Sequence, residues 1–302
     1  MTFKPDIHAD DYGYSLNTSK DILDCMKDGY LNSISIICNM PSFEESMDML
    51  YEEIKNLPFL PLISVHLNLV EGDSVYNGSL QDYSWGNLFI KSYLWDKDTF
   101  EYLKKEIKAQ IYKVDEVVSK CIDIAETNHI PVKQKGIRID SHVHTHLIPI
   151  VWKALIEVIQ EEKLNVEFIR NPKEPIVPFF KQKSLVPKYN VVNMVKNRIL
   201  MFYSGKVDRY CRKNDMDTMY MWGLIMSGEM DIERISKIYP DMEKYCERHK
   251  RPLEILFHPG LALKEEDCVE MNPESSKAFN MSDNRKIENK AVRNIKTVID
   301  RG

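Results

Sequence analysis

Three of the chain's eight histidines fall within five residues, in the run Asp140-Ser141-His142-Val143-His144-Thr145-His146. Neutral imidazole ligates metal ions, and it exchanges protons near neutral pH. A strand continuing through this run would put His142, His144 and His146 on one side, because side chains alternate along extended backbone. One metal centre cannot easily use all three, so some are expected to bind substrate or to orient other ligands. Asp10-Asp11, His66, Arg170 and His258 share the same setting, each at the end of a short apolar run. One carboxylate and two imidazoles make a compact site for a divalent ion and leave coordination places for water and substrate. Adjacent aspartates point in different directions. One of Asp10 and Asp11 can therefore hold the ion while the other takes a proton from water. A late histidine can protonate a leaving group, and the combination suits hydrolysis of a carbonyl or phosphoryl compound.

These residues need parallel strands to bring them together. Short β-rich runs at 6–9, 33–38, 62–65, 136–139, 166–169 and 253–257 alternate with longer helical patterns. That order argues for crossover helices on a parallel sheet, with the chemistry at the carboxyl ends of the strands. A first helix runs to Lys27, capped by Asn17 or Thr18 and ended by Gly29. Ile107, Ile111, Val114, Val118, Ile122 and Ala125 recur at helical spacing in a long helix over 100–128. A last helix over 285–300 is expected to be capped by Asp283. The expectation is a single domain, 1–302. It has a loop insertion around 71–98 that serves as a lid or binding loop. A larger excursion around 175–226 shapes one wall of the site.

Composition narrows the function class. Hydrophobic residues are 43% and charged residues 29% of the chain, which is ordinary for a soluble protein. The formal net charge of -5 disfavours a general nucleic-acid surface. Six scattered cysteines without a Cys-x-x-Cys pair fit a reducing compartment. No leader pattern and no apolar run near the roughly 20 residues of a membrane span stand out. A cytoplasmic protein with no membrane partner is expected. The glycines have no phosphate-loop spacing, and there is no Gly-x-Ser-x-Gly elbow to make Ser141 or another serine a nucleophile.

In several motifs the chain resembles the YdjC-like carbohydrate deacetylases, relatives of the polysaccharide deacetylases. His8-Ala9-Asp10-Asp11-Tyr12-Gly13-Tyr14-Ser15 looks like that family's opening, with His8 where asparagine is usual. Val65-His66-Leu67-Asn68-Leu69, the segment from Ile139 to Pro149, Arg170-x-Pro172-x-Glu174, and Glu254 with His258-Pro259-Gly260 look like its later motifs. Arg285 and Glu288 fit a common Arg-x-x-Glu. The resemblance implies a distorted TIM-like (β/α) barrel, incomplete or open given the short C-terminus, with the metal site at the C-terminal ends of the strands. It implies one divalent metal ion, magnesium or zinc, on Asp11, His66 and His142, with Asp10 as base and His258 as acid. It further implies removal of acetyl groups from N-acetylated sugars, and a homodimer. His144, His146, Arg170, Glu174, Asn68 and Trp85 are expected to touch substrate or support the site. Two other functions compete with this one: a metal-dependent phosphoesterase or other amidohydrolase, and a non-catalytic carbohydrate-binding protein.

Overall fold

A two-residue period runs through the strands and decides which side chains meet. In β1 (Asp6–Tyr12), Ile7 and Ala9 face one way while Asp6, His8 and Asp10 face the other. β2 (Ser33–Ile36) repeats this with Ser33 and Ser35 against Ile34 and Ile36, and β4 (Ile137–Ser141) with Arg138 and Asp140 against Ile139. Parallel register places His8 beside Ser33, Ser64 of β3 (Leu62–Leu67) beside Arg138, and His66 beside Asp140. The polar residues therefore form one continuous face. The computed structural model describes residues 4–28, 31–81, 83–186, 189–266 and 274–300.

Among the described residues, seven parallel strands form one sheet in the order β5-β4-β3-β2-β1-β7-β6, with β5 at Val166–Ile169, β6 at Tyr220–Trp222 and β7 at Leu253–Phe257. The sheet is strongly curled. Arg170, just past edge strand β5, reaches Glu254 on β7 at 2.6 Å, although four strands separate β5 from β7 in the sheet. Curling puts the polar face inside and the apolar face outside, beneath the helices. There α4 (Lys97–Thr127) buries Ile107, Ile111 and Val114 completely and packs on β3, on α2 (Phe43–Ile54) and on α5 (Pro149–Glu161). Each such side chain contributes about 1.5–3 kcal/mol.

The curl does not close into a barrel. Among the described residues no ladder joins β5 to β6, and the sheet is an open half-barrel. One main-chain hydrogen bond crosses the gap, from Met221 N–H to the Lys173 carbonyl at 3.2 Å.

Several expectations are corrected. The segment around 71–98 is not only loop, because α3 (Trp85–Leu94) lies within it, with Ser84 Oγ accepting from Asn87 N–H as its cap. Ile90, Tyr93 and Leu94 are exposed, so α3 lacks the polar face that marks a surface helix in sequence. The stretch around 175–226 is not wholly an excursion. It holds α6 (Val177–Lys181), α7 (Val191–Lys213) and strand β6. β6 is three residues long and apolar throughout, which leaves no alternation to read. α1 (Leu16–Asp28) takes its first-turn hydrogen bond from Ser15, whose Oγ accepts from Thr18 N–H at 3.1 Å, rather than from Asn17 or Thr18. Beyond α8 (Ile232–His249) comes α9 (Glu274–Asn280). The last helix is divided into α10 (Asn284–Asn294) and α11 (Lys296–Ile299), and Asp283 pairs with Lys286 at 2.8 Å instead of capping. Gly29 and Cys268 lie outside the described residues; the other five cysteines are free and buried.

Candidate metal centre

Two neighbouring residues of a regular strand face opposite ways, so Asp10 and Asp11 need a local irregularity to share a site. β1 supplies it. Its register against β2 shifts between Ala9 and Tyr12, and Asp11 has a left-handed φ of 72°. A bulge of this kind re-aims one side chain, and aspartate tolerates the conformation better than most residues. Gly13 follows at φ 90°, where a Cβ would lie 2.5 Å from the Ile37 carbonyl oxygen. The close approach of β1's exit to β2's exit therefore requires glycine.

The bulge brings Asp11 Oδ1 to 3.6 Å from His66 Nε2 and 3.2 Å from His142 Nδ1. One ligand atom from each of the three residues lies within 4.8 Å of the others, and all three residues are buried. Donors about 2.0–2.3 Å from a common ion lie about 3–4 Å from one another, so these separations fit a single metal. The remaining nitrogens are committed elsewhere. His66 Nδ1 is 2.5 Å from Asp140 Oδ1, and His142 Nε2 is 3.5 Å from Glu71 Oε1. A carboxylate on the far nitrogen of a histidine fixes its tautomer and leaves the near nitrogen free to ligate. Asp11 Oδ2 is taken by Arg285, whose Nη1 and Nη2 donate at 3.1 and 3.2 Å.

Electrostatics also favour a cation. Burial raises the Asp11 carboxyl, but His142, Arg285 and His258 outweigh it and hold the group far below the usual carboxylate range. Burial lowers His142, but Glu71 and Asp11 prevail and push it up to about 10. His66 is likewise raised against burial, by Asp10 and Asp140. The carboxylates thus favour positive charge on both imidazoles, and a divalent ion would meet the same demand.

Asp10 sits just behind this set. Its Oδ1 accepts from Ser35 Oγ at 2.6 Å and its Oδ2 from Arg170 Nη1 at 3.0 Å. Burial raises the Asp10 carboxyl, but Arg170, His66 and His8 bring it well below the ordinary value. Arg170 is completely buried and also reaches Glu254 and Asp140, at 2.6 and 3.2 Å. Burial raises Glu254, which Arg170 only partly offsets. His8, Asp10 and Asp140 form a second acidic cluster of ligand type. Arg170 pairs with both of its carboxylates, with Nη1 2.9 Å from Asp10 Oδ1 and Nη2 3.2 Å from Asp140 Oδ2.

The other expected residues are placed differently. His142, His144 and His146 do not share one face, because the chain leaves β4 into a 3₁₀ segment (His142–Leu147) in which Val143 and His144 are left-handed, at φ 45° and 56°. His142 stays at the centre. His144 is buried with Nδ1 unpartnered, and burial followed by Arg170 and His146 pulls it well below its usual range. His146 turns away to brace β4 against β5, with Nδ1 2.5 Å from Ser141 Oγ and Nε2 3.0 Å from the Arg170 carbonyl oxygen. Burial lowers it to about 4, which suits a neutral ring in that role. Asn68 is fully buried and shapes the turn carrying Glu71, accepting from Val70 and Glu71 N–H and donating to Asn39 Oδ1. Glu174 spends both oxygens on four donors: Gly223, Leu224 and Ile225 N–H and Asn197 Nδ2. Trp85 starts α3, stacked on Phe89 with ring centroids 6.0 Å apart. His258 Nε2 is 4.0 Å from Asp10 Oδ2, and Glu288 Oε2 accepts from His258 N–H at 2.6 Å.

Sequence reasoning missed Ser35 and Glu71 as site residues and gave Asp140 no role. The polar alternation in β2 and β4 carried the signal for Ser35 and Asp140. Nothing local marked Glu71. Arg285 was legible only as a motif; its contact with Asp11 was not. Arg285→Leu should lower metal affinity about 10–100-fold, because it frees the second oxygen of a ligand carboxylate. Titration of the variant with zinc tests this, and unchanged affinity would refute it.

A family model for YdjC-like proteins matches residues 7–123 and 136–295. The chain belongs to this family. It is 28% identical over 158 residues to carbohydrate deacetylase 2 of Listeria innocua serovar 6a, covering 51% of this chain and 56% of that protein. It is 23% identical over 181 residues to the carbohydrate deacetylase of Danio rerio, covering 57% and 51%. Identity to the carbohydrate deacetylase of Thermoanaerobacter pseudethanolicus is 26% over 176 residues, covering 57% and 62%. The matched stretch thus spans between half and two thirds of these relatives. The fold is similar to the crystal structure of an Enterococcus faecalis V583 protein proposed to cleave cellobiose phosphate, with a TM-score of 0.61 and 18% identity over 100% of this chain and 95% of that one. Among the described residues, no helix is long and apolar enough to cross a membrane.

Proposed function

We propose that this YdjC-like protein is a metal-dependent hydrolase that removes acetyl groups from N-acetylated sugars. The observation that carries this reading is one wall, buried except for the partly exposed His258, with three kinds of group. The Asp11–His66–His142 set lies beside a carboxylate oxygen, Asp10 Oδ2, that is 3.9 Å from His66 Nε2 and 4.0 Å from His258 Nε2. The relatives are carbohydrate deacetylases by name, which supplies the substrate class. Two imidazoles and one carboxylate suit zinc, whereas magnesium prefers oxygen ligands.

Asp11, His66 and His142 would hold the ion, which when bound polarises the acetyl carbonyl and makes water acidic. Asp10 takes the proton of the attacking water at Oδ2. Arg170 keeps that oxygen ionised beforehand, and Ser35 holds the other oxygen in place. His258 gives a proton to the departing nitrogen, since an amine anion is a very poor leaving group. Glu288 holds the main chain there, its Oε2 accepting from the His258 backbone N–H at 2.6 Å and lying 3.7 Å from Nδ1. Trp85, with Tyr83 and Tyr93 near it in sequence, offers flat apolar surface for sugar faces.

Acetate release from N-acetylated mono- and disaccharides, with added zinc or magnesium, tests the reading. A metal-loaded protein that releases no acetate from any of them would refute it. His258→Ala should lose about 10²–10⁴-fold on the sugar amide. On an activated ester, whose leaving group needs no proton, it should lose far less. Equal losses on both substrates would remove the acid role from His258.

A further inference from the structure

His8 is fully buried inside the curled sheet, on the same face of β1 as Asp10. Its Nε2 lies 3.2 Å from Asp10 Oδ1 and 3.8 Å from Asp140 Oδ2, and its Nδ1 lies 3.5 Å from Glu254 Oε1. Each ring nitrogen thus faces a carboxylate oxygen at ion-pair distance, and neither has a hydrogen-bond partner of ordinary geometry. A buried ring with no neutral partner is costly, and an apolar side chain would fill the space without that cost. The polar ring needs a reason to be there.

We infer that His8 is a positioning residue for Asp10, holding its inner oxygen Oδ1 so that Oδ2 stays turned toward His66 and His258. The inference rests on Asp10 being the base. Four side chains close a loop: Asp10, His8, Glu254 and Arg170. Arg170 grips both carboxylates, with Nη1 2.9 Å from Asp10 Oδ1 and Nε 2.8 Å from Glu254 Oε1. His8 fills the space between the same two carboxylates from the other side. With Ser35 and Arg170 it surrounds Oδ1, so the carboxylate cannot rotate without displacing a packed ring.

The test compares His8→Leu, His8→Asn and His8→Gln. His8→Leu should lower kcat about 10–100-fold, the loss expected of a misplaced reacting group, with KM and zinc content unchanged. The two amides keep a donor in the cavity and should recover most of that loss. A second measurement does not depend on turnover. Ring-nitrogen NMR of histidine-labelled protein should find a proton on His8 Nε2, facing Asp10, and this also decides the matter if the leucine variant fails to fold. A bare Nε2 would overturn the inference, as would equal kcat in the leucine and amide variants or a rise in KM that matches the loss in kcat. If the wild type releases no acetate, the proposed function fails. A proton on Nε2 would still support the Asp10–His8 contact, and its absence would overturn it.

Discussion

Asp10→Asn should abolish turnover and leave the metal bound. The two functions separate because neighbouring side chains carry them. Asp11 Oδ1 faces the two ligand imidazoles, and its Oδ2 is locked by Arg285. Asp10 lies next to it but turns Oδ1 toward Ser35 and Oδ2 toward His258. Asparagine has nearly the same shape, so the Asp11–His66–His142 set should survive. Its amide cannot accept a proton from water, and the loss of a general base costs about 10²–10⁴-fold in rate. An amide NH₂ facing the Arg170 guanidinium would also be repelled, which adds misplacement to the loss. Zinc content separates either cause from loss of the metal set. A variant with a full zinc complement and no measurable acetate release is the expected result. Turnover within tenfold of wild type, with zinc bound, would mean that another group is the base.

Glu174→Ala should be the most destabilising single change in the chain. Glu174 lies beyond β5, while three of its donors, Gly223, Leu224 and Ile225 N–H, follow directly after β6. Those two strands are the open edges of the half-barrel. The carboxylate therefore clasps the gap that no ladder closes, and Asn197 ties α7 into the same clasp. Truncation strands three main-chain N–H groups in a buried place. Each unsatisfied buried donor costs about 1–3 kcal/mol, so a loss of about 4 kcal/mol or more is expected. Domains of this kind are stable by about 5–15 kcal/mol, so the variant should lie near its unfolding limit. Urea denaturation measures this, and a loss under about 1 kcal/mol would show that water replaces the clasp. Glutamine is an informative companion. It keeps one oxygen but points an NH₂ group at N–H donors, so it too should be strongly destabilised.

Glu174 also illustrates where reading a sequence stops. Its position after a strand was legible, and strand ends in such folds collect functional groups. Yet this strand-end carboxylate serves main-chain donors some fifty residues downstream, and no local pattern announces that. Asp11 and His142 differ in the same way from their surroundings. A two-residue period correctly separates Asp6, His8 and Asp10 from Ile7 and Ala9, because alternation is a property of extended backbone alone. The same rule would send Asp10 and Asp11 to opposite faces, and would gather His142, His144 and His146 on one. Left-handed backbone at Asp11, and at Val143 and His144, breaks both extrapolations.

The amino-acid pattern by itself determined the strand–helix alternation, the polar inner face of β1, β2 and β4, and the set of residues at strand ends, since each depends on neighbours a few positions apart. Tertiary structure alone decided that the sheet curls without closing, that Arg285 holds Asp11 across 274 positions, that Arg170 pairs with both carboxylates of the second cluster, and that Glu71 backs His142. Those outcomes depend on which distant segments pack together. Packing is governed by the summed burial of the whole sheet and its helices, and no short stretch of sequence records it.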